Sequence, residues 1–266
     1  MAFPWTADGS IPTADSIFYT ADGWLTSGFI NDQSASSGSV NSSAISAPAI
    51  NINPGAWLTI ATRYTNAAAQ SVVMSDNAGG NSYVPLTTFY NATFGVGGAF
   101  FYVRSALGGN TIFTATFGAA SNHLGIYVGQ YTGLTALIGT QAQEEESPGT
   151  GANAYTSGNV TVGMLQVPAL AWGFIVPVHN YNLVPAAGTS PLAYTGRSLS
   201  WPFNTGTNNA LAEDIRLTVP GNYPATFTVA ENSGRFVLIA VFREGLAPIQ
   251  APPPSQFFMQ DRLLTT

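Results

Sequence analysis

The chain has 266 residues, no cysteine and only 8% charged residues, with thirteen acids against seven arginines, no lysine and a formal net charge of −6. Disulfides, thiolate metal sites and a cysteine nucleophile are therefore excluded. Without a basic stripe to neutralise phosphates, nucleic acid is not an expected partner, and no run approaches the roughly eighteen apolar residues of a membrane-spanning helix, so no membrane partner is expected either.

Residues 1–43 read as an arm. The first ten, MAFPWTADGS, carry neither a basic nor an apolar leader segment, so no secretory signal is expected there. The aromatics Trp5, Phe18, Tyr19, Trp24 and Phe29 suggest an arm laid on a surface, with Trp5 and Trp24 as contact residues. Residues 34–43, rich in serine, read as a polar connector.

From residue 44 to 245 the pattern is that of strands, and no segment sustains a 3.6-residue apolar period. Residues 44–52 are extended and apolar, and Asn53-Pro54-Gly55 turns the chain into a run that places Leu58, Ile60 and Tyr64 on one face. Strands are expected at 71–75, 83–90 and 99–105. Residues 110–134 read as the clearest antiparallel hairpin: Phe113, Ala115 and Phe117 share one face, and Leu124, Ile126 and Val128 alternate with Gly125, Tyr127 and Gly129 in a run without a polar face, as in a central strand. Residues 141–159 read as a long loop, 160–165 and 169–178 as strands, and 180–224 as an irregular stretch with short extended pieces. Residues 225–230 and the continuously apolar RFVLIAVFR of 235–243 close the domain, the latter as a central strand.

About twelve short strands at turn-punctuated spacing predict an all-β domain, an antiparallel β-sandwich of jelly-roll-like type with extended N- and C-terminal arms. No internal sequence repeat is found, whereas a fibre shaft would show one. Beyond residue 245 the style changes. APIQAPPP at 247–254 is a semi-rigid, extended spacer, and it leads to SQFFMQDRLLTT, which concentrates Phe257, Phe258, Met259, Leu263 and Leu264. Such a segment either folds back over its own domain or docks on a neighbouring subunit.

Trp57-Leu58-Thr59-Ile60, the turn Ser75-Asp76-Asn77-Ala78-Gly79 with Asn81-Ser82-Tyr83, the run 101–117 and YVGQYTG at 127–133 together resemble a loosely defined group of β-sandwich proteins of tailed-bacteriophage virions and bacterial surface proteins. The group shares an "sDnaGNsY" turn and a "veYtG" strand end. The resemblance covers 44–245 with 180–224 unmatched, and this chain departs from it by the extra Gly80 and by Gln130 where an acidic residue is common. It implies a structural protein of a virion, assembled in the host cytoplasm.

Chemistry finds little footing. The two histidines, His123 and His179, show no HxH or HxxxH spacing, no G-x-S-x-G elbow is present, and Gly95 to Gly98 lacks the Lys-Ser/Thr of a phosphate loop. Asp76 to Asn81 offers oxygens that could gather calcium, although one carboxylate is few and Asx-turn bonding explains the cluster equally. Glu144, Glu145 and Glu146 read as a solvated loop or as a contact for a basic partner. Trp57, Tyr102, Tyr127, Trp172 and Trp201 are candidates for stacking on sugars, against core packing as the commoner fate.

The expectation is therefore a non-enzymatic, cofactor-free virion structural protein on the particle exterior, a head or tail decoration or fibre component that docks on other virion proteins and on copies of itself. A carbohydrate-binding adhesin that meets a host surface glycan is the alternative.

Overall fold

Runs that are apolar on both faces form the centres of two five-stranded, wholly antiparallel sheets. The computed structural model describes residues 41–121, 123–145, 153–177, 186–188, 192–198, 210–229 and 234–245 (145, 153, 177 and 198 by backbone only), and the backbone of 18–19, 25–26, 30–39, 202–203 and 206–207. The chain divides into two units, Phe29–Gly245 and a second of Met1–Gly28 with Leu246–Thr266. In the second, β1 (Phe18–Tyr19) pairs antiparallel with β2 (Leu25–Thr26).

Strands are numbered in chain order. In the unit 29–245 the first large sheet runs β3 (Ile30–Ser39), β12 (Leu124–Thr132), β6 (Trp57–Thr65), β9 (Val96–Val103), β8 (Tyr83–Asn91). The second runs β13 (Leu134–Glu145), β24 (Arg235–Glu244), β16 (Ala169–Pro177), β21 (Leu211–Leu217), β18 (Thr195–Ser198). Against the first lie β4 (Ser42–Ser46), β11 (Phe113–Ser121) and β7 (Val72–Asp76) as one sheet, with β5 (Ile50–Ile52) paired to β10 (Gly109–Thr111). Against the second lie β14 (Asn153–Thr156), β23 (Thr226–Val229) and β17 (Ala186–Ala187), with β15 (Val160–Val162) paired to β22 (Gly221–Tyr223). A hairpin of β19 (Pro202–Phe203) and β20 (Gly206–Thr207) falls between β18 and β21.

The two halves repeat one plan. Leaving out β19 and β20, β3 to β12 and β13 to β24 are ten strands each among the described residues. Numbered one to ten within its half, each large sheet reads 1-10-4-7-6, each three-stranded sheet 2-9-5 and each short pair 3-8. The register also repeats: Gly109, Asn110 and Thr111 face Ile52, Asn51 and Ile50, as Gly221, Asn222 and Tyr223 face Val162, Thr161 and Val160. No sequence repeat announces this, because a strand's place in a sheet requires only a pattern of burial, which INI and VTV satisfy equally with their outer residues buried and the middle one exposed.

Alternation sorts each central strand between two cores. In β6, Leu58, Ile60 and Tyr64 face Phe113, Phe117 and Met74 of the three-stranded layer, while Trp57 and Ala61 face the other large sheet. In β24, Val237, Ile239 and Val241 pack with Phe227 and Tyr155, and Phe236, Leu238, Ala240 and Phe242 enter the same central core as Trp57. That core is aromatic, and ring pairs cross it: Phe89 stacks on Phe236 at 4.3 Å, and Phe100 meets Phe174 edge-on at 5.7 Å, as Trp57 does Phe242. Offset and edge-on pairs of this kind add to the burial itself.

Several sequence expectations change. Residues 110–134 do not form a hairpin: β11 pairs with β4 and β7, and β12 with β3 and β6, so the chain crosses from one sheet to the other between them. Phe113, Phe117, Ile126 and Val128 still share one core, because the two strands face each other across it. The serine-rich run read as a connector is largely strand β3, pairing along β12 from Leu124↔Ser39 to Thr132↔Ile30. An edge strand is held by its backbone and needs no apolar run to announce it. Residues 144 and 145 extend β13 rather than belonging to a loop, opposite Phe236 and Arg235. The irregular region 180–224 supplies β18, β21 and β22, integral members of the second half.

Candidate functional site

The residues predicted to meet a partner, Trp5, Trp24, Phe257, Phe258, Met259, Leu263 and Leu264, lie outside the described residues, as do His179 and Trp201. Of the proposed sugar-stacking aromatics, Trp57, Tyr102, Tyr127 and Trp172 are all buried in the central core. Arg104 lies over Trp57 and Tyr102, 5.4 and 5.6 Å from their ring centres.

The Asp76 turn is a clasp. Asp76 Oδ1 accepts the Gly79 amide at 2.8 Å, and Oδ2 accepts the Asn81 side-chain amide at 3.1 Å and the Tyr83 hydroxyl. Asn81 Oδ1 accepts the Leu107 amide, and Asn77 Oδ1 the Ile112 amide, both at 2.8 Å. The turn that carries the family resemblance thus ties the β7–β8 connection to the chain on either side of β10. Burial alone would raise the Asp76 pKa, but the hydrogen bonds from Tyr83, Gly79, Asn81 and Ala78 outweigh it and hold the carboxyl below its ordinary range. Its oxygens are engaged as an Asx turn requires.

YVGQYTG is structural in the same way. Buried Gln130 accepts the Asn53 amide through Oε1 at 2.9 Å, holding the Asn53-Pro54-Gly55 turn. Gly129 leaves room for the Tyr127 hydroxyl, which a Cβ there would meet at 2.5 Å. The Tyr131 hydroxyl donates to Asp214 Oδ2 at 3.0 Å, joining the first large sheet to the second, and Arg197 grips the same carboxylate with Nε at 2.7 Å and Nη2 at 2.9 Å.

Sequence reasoning passed over Asp214 and its neighbour Glu213. The available signal was two adjacent acids within the apolar run of β21, where successive side chains enter different layers. Fully buried Glu213 accepts the Gly188 amide at 2.9 Å and the Thr226 amide at 3.1 Å. Burial pushes its pKa up to about 8, against the lowering effect of those two bonds and aided by the charge of Asp214. With the native pKa above the ordinary 4.5, this group's contribution to stability is complete below that value and is lost as pH rises through about 8. Unfolding free energy is therefore expected to fall between pH 5 and 8 by up to about 1.4 kcal/mol per pH unit from this group. Urea melts across that range check it, and Glu213→Gln should flatten the slope.

Two further cations are buried. The pKa of Arg63 is lowered to about 10 by burial and by Arg235, and that of Arg235 to about 10 by burial, and His123 is likewise lowered by burial and by Arg63. No Arg235 side-chain nitrogen has a hydrogen-bond partner among the described residues.

A groove of about 410 Å³ is lined by Tyr64, residues 69–71 of the β6–β7 connection, Val72 at the start of β7, and residues of β8 and β9 including Thr88, Tyr90 and Phe101, with no charged side chain. Tyr64 and Tyr90 stack at its end, 6.4 Å apart, and the Gln70 amide donates to the Tyr64 hydroxyl at 2.8 Å. Of the strands that line it, β7 and β8 are each the outer strand of their sheet. Met164 and Leu165, just after β15, and Val219, just before β22, are exposed apolar residues.

Comparisons with family models, curated proteins and solved structures find no match to this chain.

Proposed function

We propose that each ten-strand half is a jelly-roll-like sandwich, and that the protein is a non-enzymatic structural component of a tailed-phage particle. It decorates the exterior of the head or tail and is docked on neighbouring subunits through its N- and C-terminal arms. The observation that carries this reading is the repeated strand order. If strands 2 and 3 of a half are taken as one interrupted strand, and 8 and 9 as another, eight strands remain in the order of a jelly roll, except that strand 6 joins the larger sheet; the jelly roll is an architecture of viral shells and lectins. The turn and strand-end motifs that resemble phage virion proteins serve here as clasps of that framework. The charge-poor composition suits a surface covered in an assembly.

The lectin side of the same architecture gives the alternative, a host-glycan adhesin. It is weakened because four of its five aromatic candidates are buried. Purified particles from a host producing the protein decide between them. Gold-labelled antibody on the particle exterior, with no retention of the isolated protein on host polysaccharide, supports the decoration reading. Polysaccharide binding by isolated protein that is absent from particles would replace it with the adhesin.

A further inference from the structure

In an eight-stranded jelly roll the fourth and fifth strands pair, closing one side of the sandwich; with strands 2 and 3 of a half merged, these are strands 5 and 6 of the ten. In the first half these are β7 and β8, and they do not pair: β8 continues the large sheet beside β9, and β7 ends the three-stranded sheet. The groove opens beside Val72, the first residue of β7, and along β8, on the side left without that ladder. In the second half β17 and β18 do not pair either, but the chain between them is bridged. Tyr194 donates its amide to the Gly188 carbonyl at 2.9 Å between β17 and β18, and Glu213 holds the Gly188 amide from the sheet behind.

What fits there follows from the chemistry of its walls. The outer sides of β7 and β8 present backbone donors and acceptors that a further strand satisfies. They differ in readiness. β8 carries Pro85, which has no amide hydrogen, and a register shift between Pro85 and Thr87, both of which blunt an edge. β7, with the sequence VVMSD, carries neither proline nor lysine and meets the groove at Val72, so it is the receptive edge. The floor offers Phe101, Ala99 and the Tyr90 ring without a charge, so the incoming side chains are uncharged and apolar.

We propose that the groove receives, as an added strand on β7, the segment Phe257-Phe258-Met259 from the C-terminal arm of a second copy of this chain. The inference rests on the docking role proposed above for that arm and names its receptor. Strand addition gives affinity through main-chain bonds and specificity through alternate side chains, and this segment is the uncharged aromatic stretch of the arm. The chain continues 21 residues past Gly245. The eight-residue spacer 247–254 reaches about 25 Å when extended, enough to carry the segment to a neighbour rather than leave it at the domain surface.

The absence of native cysteine makes disulfide trapping a clean test. Two full-length variants are mixed under mild oxidant, Thr88→Cys in the exposed wall of the groove and Phe258→Cys in the arm, with Ala119→Cys on an exposed stretch of β11 as the control partner. Unchanged thermal midpoints of the single variants establish that they fold. A cross-linked dimer from the groove pair at least roughly tenfold above the control pair supports the proposal, because docking raises the local concentration of the two thiols. Equal yields overturn it. If a chain carrying both Thr88→Cys and Phe258→Cys instead closes a disulfide within itself while the mixed singles do not cross-link, the arm folds back on its own domain and the second-copy assignment is wrong.

A deletion of residues 255–266 separates the two levels of the reading. If it reduces self-association in sedimentation while the groove pair gives only the control yield, the arm docks elsewhere and the receptor alone is overturned. If self-association and particle incorporation are both unchanged, the docking role itself fails, and the groove assignment with it.

Discussion

Phe236→Ala is expected to lower the unfolding free energy of the unit 29–245 by about 3–5 kcal/mol and to leave a single unfolding transition. Phe236 stands on β24, an interior strand of the second large sheet, yet its ring stacks on Phe89 at 4.3 Å and Phe100 at 5.5 Å, both from the first. Removing it takes away one ring's burial and leaves a cavity between layers that neither sheet can close alone. Because the central core belongs to both halves, they lose stability together. The thermal midpoint should fall by roughly 10 °C, taking 2–4 °C per kcal/mol for a unit of this size. Calorimetry reads this directly. Two separated transitions, with only the later half displaced, would mean that the halves are independent sandwiches joined by a strand.

Asp214→Ala is the second large effect, expected at about 2–3 kcal/mol. The carboxylate is almost fully buried and holds two partners from different places, the Tyr131 hydroxyl of the first sheet and the Arg197 guanidinium on the outer strand β18 of the second. Truncation strands a buried hydroxyl and frees a cation. The Arg197 side chain is 32% exposed, so water recovers part of that loss and the cost stays below that of a fully buried pair. Tyr131→Phe removes one bond and one polar group together, and should cost about 1 kcal/mol. Chemical denaturation of the two variants separates these values. Equal effects would show that the tyrosine, not the arginine, carries the contribution of Asp214.

What was legible in the sequence was the burial pattern. Alternation in β11 and the all-apolar runs of β12 and β24 correctly assigned Phe113, Phe117, Ile126 and Val128 to one core and marked β24 as central. What alternation does not contain is the identity of a strand's neighbour. Two consecutive strands facing each other across a core and two hydrogen-bonded in a hairpin have the same period, so β11 and β12 read as a hairpin when they belong to different sheets. Strand β3 was illegible for the opposite reason, its serine-rich sequence giving no apolar period at an edge held by backbone bonds. The tandem plan was hidden because equivalent strands conserve which residues are buried and not their types.

The polar sites divide similarly. The Asp76 turn was recognisable from its Asx and glycine chemistry, and the structure assigns its oxygens to the chain's own donors. The partnership of Tyr131, Asp214 and Arg197 joins residues 17 and 83 positions apart, a distance over which no local motif operates. The groove likewise gathers residues of four strands between positions 64 and 101, a grouping that no local motif announces.

The central claim is that this is an assembly protein held on a particle by its arms, and its most direct measurement is the amount of protein in purified particles when residues 255–266 are deleted. The account predicts loss of most of the protein from the particles, with the soluble truncated chain folded and keeping the thermal midpoint of the full-length protein. Truncated chain present in particles at the level of the full-length protein would contradict it.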